Sequence, residues 1–134
     1  MPTRASQPEA WFQKAEHDRA TIRAVVAGDP PLWDIATFHA QQAAEKYLKG
    51  FIVARSGTVP KIHDLTTLLT LCCEYDSTFI ALEEGSRTLT RLGWVSRYPE
   101  SNDDTSEAEG RRAIELADEV CSAVRERVPK RESP

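Results

Sequence analysis

A chain of 134 residues, 40% hydrophobic and 28% charged, has the size and composition of one domain with one core, stable without metal or disulfide support. Its net charge of −4 argues against a general nucleic-acid coat, which rests on a basic surface. No apolar run approaches the roughly 18 residues needed to cross a bilayer, and the start, MPTRASQPEAW, lacks the apolar segment of a signal peptide, so the expected location is the cytoplasm, away from membranes. Cys72, Cys73 and Cys121 show no C-x-x-C spacing and read as buried structural thiols in a reducing compartment.

Residues 1–7 read as an N-terminal tail. Ser6, Pro8 and Glu9 resemble a helix-capping arrangement, and Trp11, Ala15, Ile22 and Val26 follow at helical spacing, so a first helix is expected over 8–27. Gly28, Asp29, Pro30 and Pro31 end it in a tight connection that favours an antiparallel partner. From Trp33 to Gly57, Ala36, Ala40, Ala43, Ala44, Tyr47, Phe51 and Ala54 form an apolar helical face. Phe38, Leu48, Ile52 and Val53 add apolar surface on other sides, so this central helix should have neighbours almost all round. His39, Gln42, Lys46 and Lys49 fall on one flank.

Past Gly57 to Pro60, Asp64 or His63 is placed to cap a third helix whose inner face is Leu65, Leu68, Leu69 and Cys72 and which ends near Tyr75. Ser77 or Thr78 would cap a fourth segment containing Phe79, Leu82, Leu89, Leu92 and Trp94, loosened at Gly85 and closed before Pro99. SRYPESNDDT, at 96–105, reads as a polar loop. Ser106 with Glu109 makes a capping box for a last helix carrying Ala113, Ala117, Val120, Val124 and Val128, and residues 129–134 read as a disordered tail. The expected fold is a single all-α domain over 8–128, an up-and-down bundle of about five helices with a four-helix-bundle-like core.

Three stretches, AEHDRATIRAVV, AATFHAQQAAEKYLKGFIVARSGTVPKIHDL and WVSRYPE, occur in an order and spacing that resemble the HEPN domain family, with FHAQQAAEKYLKG, HDL and RYP the strongest matches. The resemblance implies a helical bundle, commonly homodimeric. It implies either a nucleotide- or substrate-binding subunit beside a separate minimal nucleotidyltransferase or, in other branches, a ribonuclease. The ribonuclease branch resembles a template with a histidine four to six residues after an arginine. Here Arg97 is followed by YPESNDD, and the chain has no histidine beyond His63. Such a ribonuclease would have to use Arg97 with a displaced base such as His39 or His63. The transferase reaction needs paired carboxylates holding Mg2+ beside a Gly-Ser turn, whereas Gly85-Ser86 lies in a helical region with no spaced acidic pair after it.

The remaining constellation is His39, Gln42, Lys46 and Lys49 on the central helix, Lys61, His63 and Asp64 at the next helix start, and Arg97 with Tyr98. Cations suit phosphate, and a tyrosine suits stacking on a base. Each has a structural reading as well: a packing histidine at 39, a helix-bridging Gln42, a solvated or snorkelling flank at Lys46 and Lys49, a cap at His63 or Asp64, and a core anchor at Tyr98. Glu45 and Lys49 read as plain i,i+4 helix support. The leading expectation is a non-catalytic subunit that binds a nucleotide or other anion, partners a minimal nucleotidyltransferase in a toxin-antitoxin type of pair, and forms a homodimer. The alternatives are an RNA-cleaving toxin and a ligand-free dimeric adaptor. No cofactor and no metal site is implied.

Overall fold

The computed structural model describes residues 3–97 and 104–129, the side chains of Ser96 and Arg97 excepted. Its helices are α1 (Pro8–Val26), α2 (Trp33–Ser56), α3 (Leu65–Tyr75), α4 (Glu83–Arg97) and α5 (Glu107–Arg127), with 3-10 turns at Arg4–Ser6 and Ser77–Leu82. This is the all-α bundle expected, with α2 at its centre and α1, α3, α4 and α5 all packed on it. Small residues make that possible. Ala36, Ala40, Ala43 and Ala44 are fully buried, and Gly50 lies so close to α1 that a Cβ there would sit 2.4 Å from the Phe12 ring. Tyr47, Leu48, Phe51, Ile52 and Val53 fill the space between helices, as the near-complete apolar circumference of α2 requires.

Several local expectations change. Ser6 does not cap α1: its hydroxyl donates to the Thr3 carbonyl (2.7 Å) and closes the preceding 3-10 turn, leaving Gln7 as N-cap without a side-chain bond. Residues 4 and 5 are tied to α1, because Trp11 Nε1 donates to the Ala5 carbonyl (2.7 Å) and Arg4 to Gln13 (3.0 Å). Ala54 is exposed together with Arg55, Ser56 and Gly57, so the apolar face of α2 ends one turn earlier than its alanine spacing suggests. Gly57 closes α2 at φ 74°, a left-handed conformation that costs a glycine little.

Asp64 is the cap of α3, its carboxylate accepting from the Thr67 backbone N–H (3.1 Å) and from the hydroxyls of Thr66 and Thr67. Neither Ser77 nor Thr78 caps the fourth segment; Asp76 does, accepting from the Thr78 N–H (3.0 Å). That segment is broken at Leu82 and Glu83, where a 3-10 turn becomes α-helix, and not at Gly85, which allows α4 to approach Leu116 of α5. The capping box of Ser106 and Glu109 is present in both directions. Cys72 and Cys121 are buried and Cys73 half-buried, all three free thiols. The expected irregular loop falls mainly on 98–103, and the expected disordered tail mainly on 130–134, outside the described residues. No helix among the described residues is long and apolar enough to cross a membrane.

Candidate functional site

The short link between α1 and α2 makes them antiparallel neighbours and brings together polar residues far apart in sequence. Asp18 of α1, with its side chain only 8% exposed, meets two residues of α2. Lys46 Nζ donates to Asp18 Oδ2 at 2.6 Å, and His39 Nδ1 lies 2.7 Å from Asp18 Oδ1. One carboxylate thus holds an ammonium and an imidazole, which offsets the cost of burying it. His39 is a hydrogen-bonded packing histidine, its ring edge-on to Phe38.

A second carboxylate repeats the pattern about one turn along α2. Glu45 and Lys49 are both buried, with side chains 8% and 6% exposed and Nζ 3.1 Å from Oε2. The expected i,i+4 contact is present, but Lys49 is buried and not part of a solvated or snorkelling flank. The neighbours that surround α2 bury both groups, and a buried pair depends strongly on keeping both its members. His63 Nδ1 lies 3.0 Å from Glu45 Oε2 and 3.2 Å from Lys49 Nζ, while the rest of its ring is exposed. The Trp11 ring of α1 covers the ammonium, with its centroid 5.6 Å from Nζ.

Between these groups lies a partly enclosed cleft of about 380 Å3, lined by Trp11, Gln41, Gln42, Glu45, Lys46, Lys49 and His63. That volume falls within the range of small-molecule sites, roughly 300–1,000 Å3. Gln41 is buried and its Oε1 has no hydrogen-bond partner among the described residues. Of the residues expected to bind ligand, Gln42, Lys46, Lys49 and His63 therefore share one cleft. His39 stands beside it through Asp18. Lys61 and Asp64 are not in its lining, and the Asp64 carboxylate is occupied by its cap. The Thr67 and Thr66 hydroxyls hold that carboxyl below its ordinary range. Arg97 closes α4, but its side chain, like the whole of Tyr98, lies outside the described residues.

Trp11 and Glu45 carry only structural readings in the sequence, and Gln41 and Asp18 carry none. For Gln41 and Glu45 a signal existed, since 41, 45 and 49 form one i,i+4 stripe beside the polar flank. Trp11 reads equally well as a core position of α1, and the partners of Asp18 lie 21 and 28 residues away. A third polar cluster faces α5. The Tyr47 hydroxyl donates to Glu16, Arg125 Nε donates to the Tyr47 oxygen (2.9 Å), and Arg19 bridges Glu16 (2.9 Å) and Asp118 (3.3 Å). Burial, then the hydrogen bond to Glu16, pushes the Tyr47 hydroxyl up to about 12. Burial also works against the Glu16 carboxylate, but hydrogen bonds from Tyr47 and Arg19 outweigh it and leave Glu16 below its usual value.

No group of histidine, cysteine and carboxylate side chains suited to a metal ion occurs among the described residues. No match is found among curated proteins or among solved structures. A family model for the HEPN domain matches residues 8–127, from the first residue of α1 to the last of α5, and the chain belongs to that family.

Proposed function

We propose that this HEPN chain is a non-catalytic subunit whose α1–α2 cleft binds a nucleotide or a similar phosphate-bearing anion, and that it serves a separate minimal nucleotidyltransferase as the ligand-holding half of a toxin-antitoxin type of pair. The observation that carries the reading is the cleft itself. Two ammoniums, an imidazole and two glutamine amides converge beside an indole in a space sized for a small molecule. The lysines suit phosphate, the amides suit the polar edge of a base, and the indole suits stacking. Assignment of transferase chemistry to another polypeptide is supported by Gly85 and Ser86, which sit inside α4 with Ser86 buried, away from any strand-and-turn setting. Homodimerisation belongs to the same proposal; Leu32 and Ile35, exposed at the start of α2, offer apolar surface for it.

Calorimetric titration of the purified chain with ATP, alone and with any minimal nucleotidyltransferase found in a neighbouring gene, tests the reading. Binding is expected, weakened about 5- to 150-fold by Trp11→Ala, since stacking on an aromatic ring is worth about 1–3 kcal/mol. Absence of binding in both formats would sink it.

The alternative of a ribonuclease draws on one arrangement. Asp18 holds His39 Nδ1 and leaves Nε2 without a hydrogen-bond partner among the described residues, an orientation suited to a general base. RNA cleavage that is lost in both His39→Ala and Arg97→Ala would favour it over the binding subunit.

A further inference from the structure

Three atoms at the cleft, Glu45 Oε2, Lys49 Nζ and His63 Nδ1, form a triangle with edges of 3.0, 3.1 and 3.2 Å. A neutral imidazole cannot satisfy all three edges. With a proton on Nδ1 it donates to Glu45 but turns an N–H toward the Lys49 ammonium. With a lone pair on Nδ1 it accepts from Lys49 but sets that lone pair against the carboxylate oxygen. An added proton removes the conflict at Glu45 and makes the imidazolium a rival to Lys49 for the same oxygen.

We propose that binding of a phosphate group in the cleft is coupled to uptake of about one proton by His63, which takes over Glu45 and releases the Lys49 ammonium to the phosphate. This rests on the reading that the cleft takes a phosphate-bearing ligand. The charge balance points the same way. With both histidines neutral, the carboxylates of Asp18 and Glu45 cancel the ammoniums of Lys46 and Lys49, so a dianion meets no net attraction. One proton from solvent gives the cleft a positive charge at the moment a phosphate needs it.

The groups around His63 are few. From α2 it faces Glu45 and Lys49, with Lys46 one turn back and already bound to Asp18 of α1, which also holds His39. From α1 the cleft receives the uncharged Trp11. In its own segment stand Lys61 and Asp64, the latter occupied by the cap of α3. The His63 side chain is 81% exposed, so solvent supplies its proton directly and substitution there does not open the core.

The experiment is calorimetric titration of the full chain with ATP at about pH 6, 7 and 8, the range in which histidine changes charge, in two buffers of different ionisation heat. Wild type, His63→Gln and His39→Gln are compared. Wild type should take up close to one additional proton per ATP above pH 7, relative to His63→Gln, and bind up to about tenfold more tightly for each pH unit lowered. The phosphate of ATP titrates in all three proteins and cancels in the comparison. His63→Gln should lose the additional uptake and most of the pH slope, while His39→Gln keeps both. Binding with the same proton uptake and slope in wild type and His63→Gln would overturn the proposal. No ATP binding by wild type at any pH would overturn the functional reading and this inference with it.

Discussion

Glu45 is stable in its buried position only while its cationic partner is present. A carboxylate removed from water loses several kcal/mol of hydration, and here Lys49 and His63 replace that hydration at 3.0–3.1 Å. Truncating one member strands the other. Glu45→Ala leaves the Lys49 ammonium buried against Trp11 and should cost about 3–5 kcal/mol of unfolding free energy in a urea titration. The double variant Glu45→Leu with Lys49→Met, apolar and similar in volume, should recover most of that loss, because it removes both charges together. A loss below roughly 1 kcal/mol for Glu45→Ala would place the pair at the surface in solution. The depth of this pair was legible in part. Spacing alone marks Glu45 and Lys49 only as i,i+4 neighbours, but Phe38, Leu48, Ile52 and Val53 already announced that α2 has neighbours on most sides. The partners of Asp18 were not legible, because no local rule connects a residue of α1 with positions 39 and 46 on the next helix.

Among the elements, α2 owes its central place to side chains small enough for four helices to approach it. Gly50 is the tightest of these positions, since an added methyl would lie 2.4 Å from Phe12 Cε1 and 2.9 Å from Cδ1. Phe12 is itself buried and stacked on Tyr47 with ring centroids 5.1 Å apart, so it has no free space to move into. Gly50→Ala should therefore destabilise the fold by about 1–3 kcal/mol, although alanine is the better helix former, and should lower the melting temperature accordingly. A rise in melting temperature would show that the α1–α2 contact yields. The helical periods of α1, α2, α3 and α5 could be read in the sequence because each carries a long apolar stripe, and the capping box at Ser106 has a two-residue signature. The fourth segment was harder to read. Asp76, Ser77 and Thr78 are all capping residues in a row, and only the backbone decides that Asp76 takes the role while a 3-10 turn precedes α4.

Across the whole molecule, ionisable groups hold the bundle together at several junctions, and their shifts set the pH range of stability. On the acid side, Glu16 joins α1 to Tyr47 of α2 and, through that hydroxyl, to Arg125 of α5. Asp64 caps α3, and Asp76 links the Ser77–Leu82 turn to Arg127 of α5. Hydrogen bonds, joined by nearby arginines at Glu16 and Asp76, lower all three below ordinary values of 4.5 for Glu16 and 3.8 for the aspartates. A carboxyl depressed in the folded state contributes stability that is complete above its unfolded value and lost as pH falls through the folded value. The acid limb should therefore begin near pH 4.5 and steepen below 3.8. On the alkaline side the signs reverse. Burial pushes Cys72, Cys121 and Tyr47 up to about 12 from ordinary values of 9.0 for the thiols and 10.0 for the phenol. Their stabilisation is complete below those ordinary values and is lost as pH rises toward 12, because the unfolded chain releases protons that the folded chain retains. Thermal melts under reducing conditions should show a plateau from about pH 5 to pH 9 with a fall on either side. Tyr47→Phe should make both limbs shallower, since it removes the hydrogen bond that lowers Glu16 as well as the hydroxyl itself. A melting temperature that holds constant from about pH 5 to pH 3 would mean that these carboxylates gain nothing on folding.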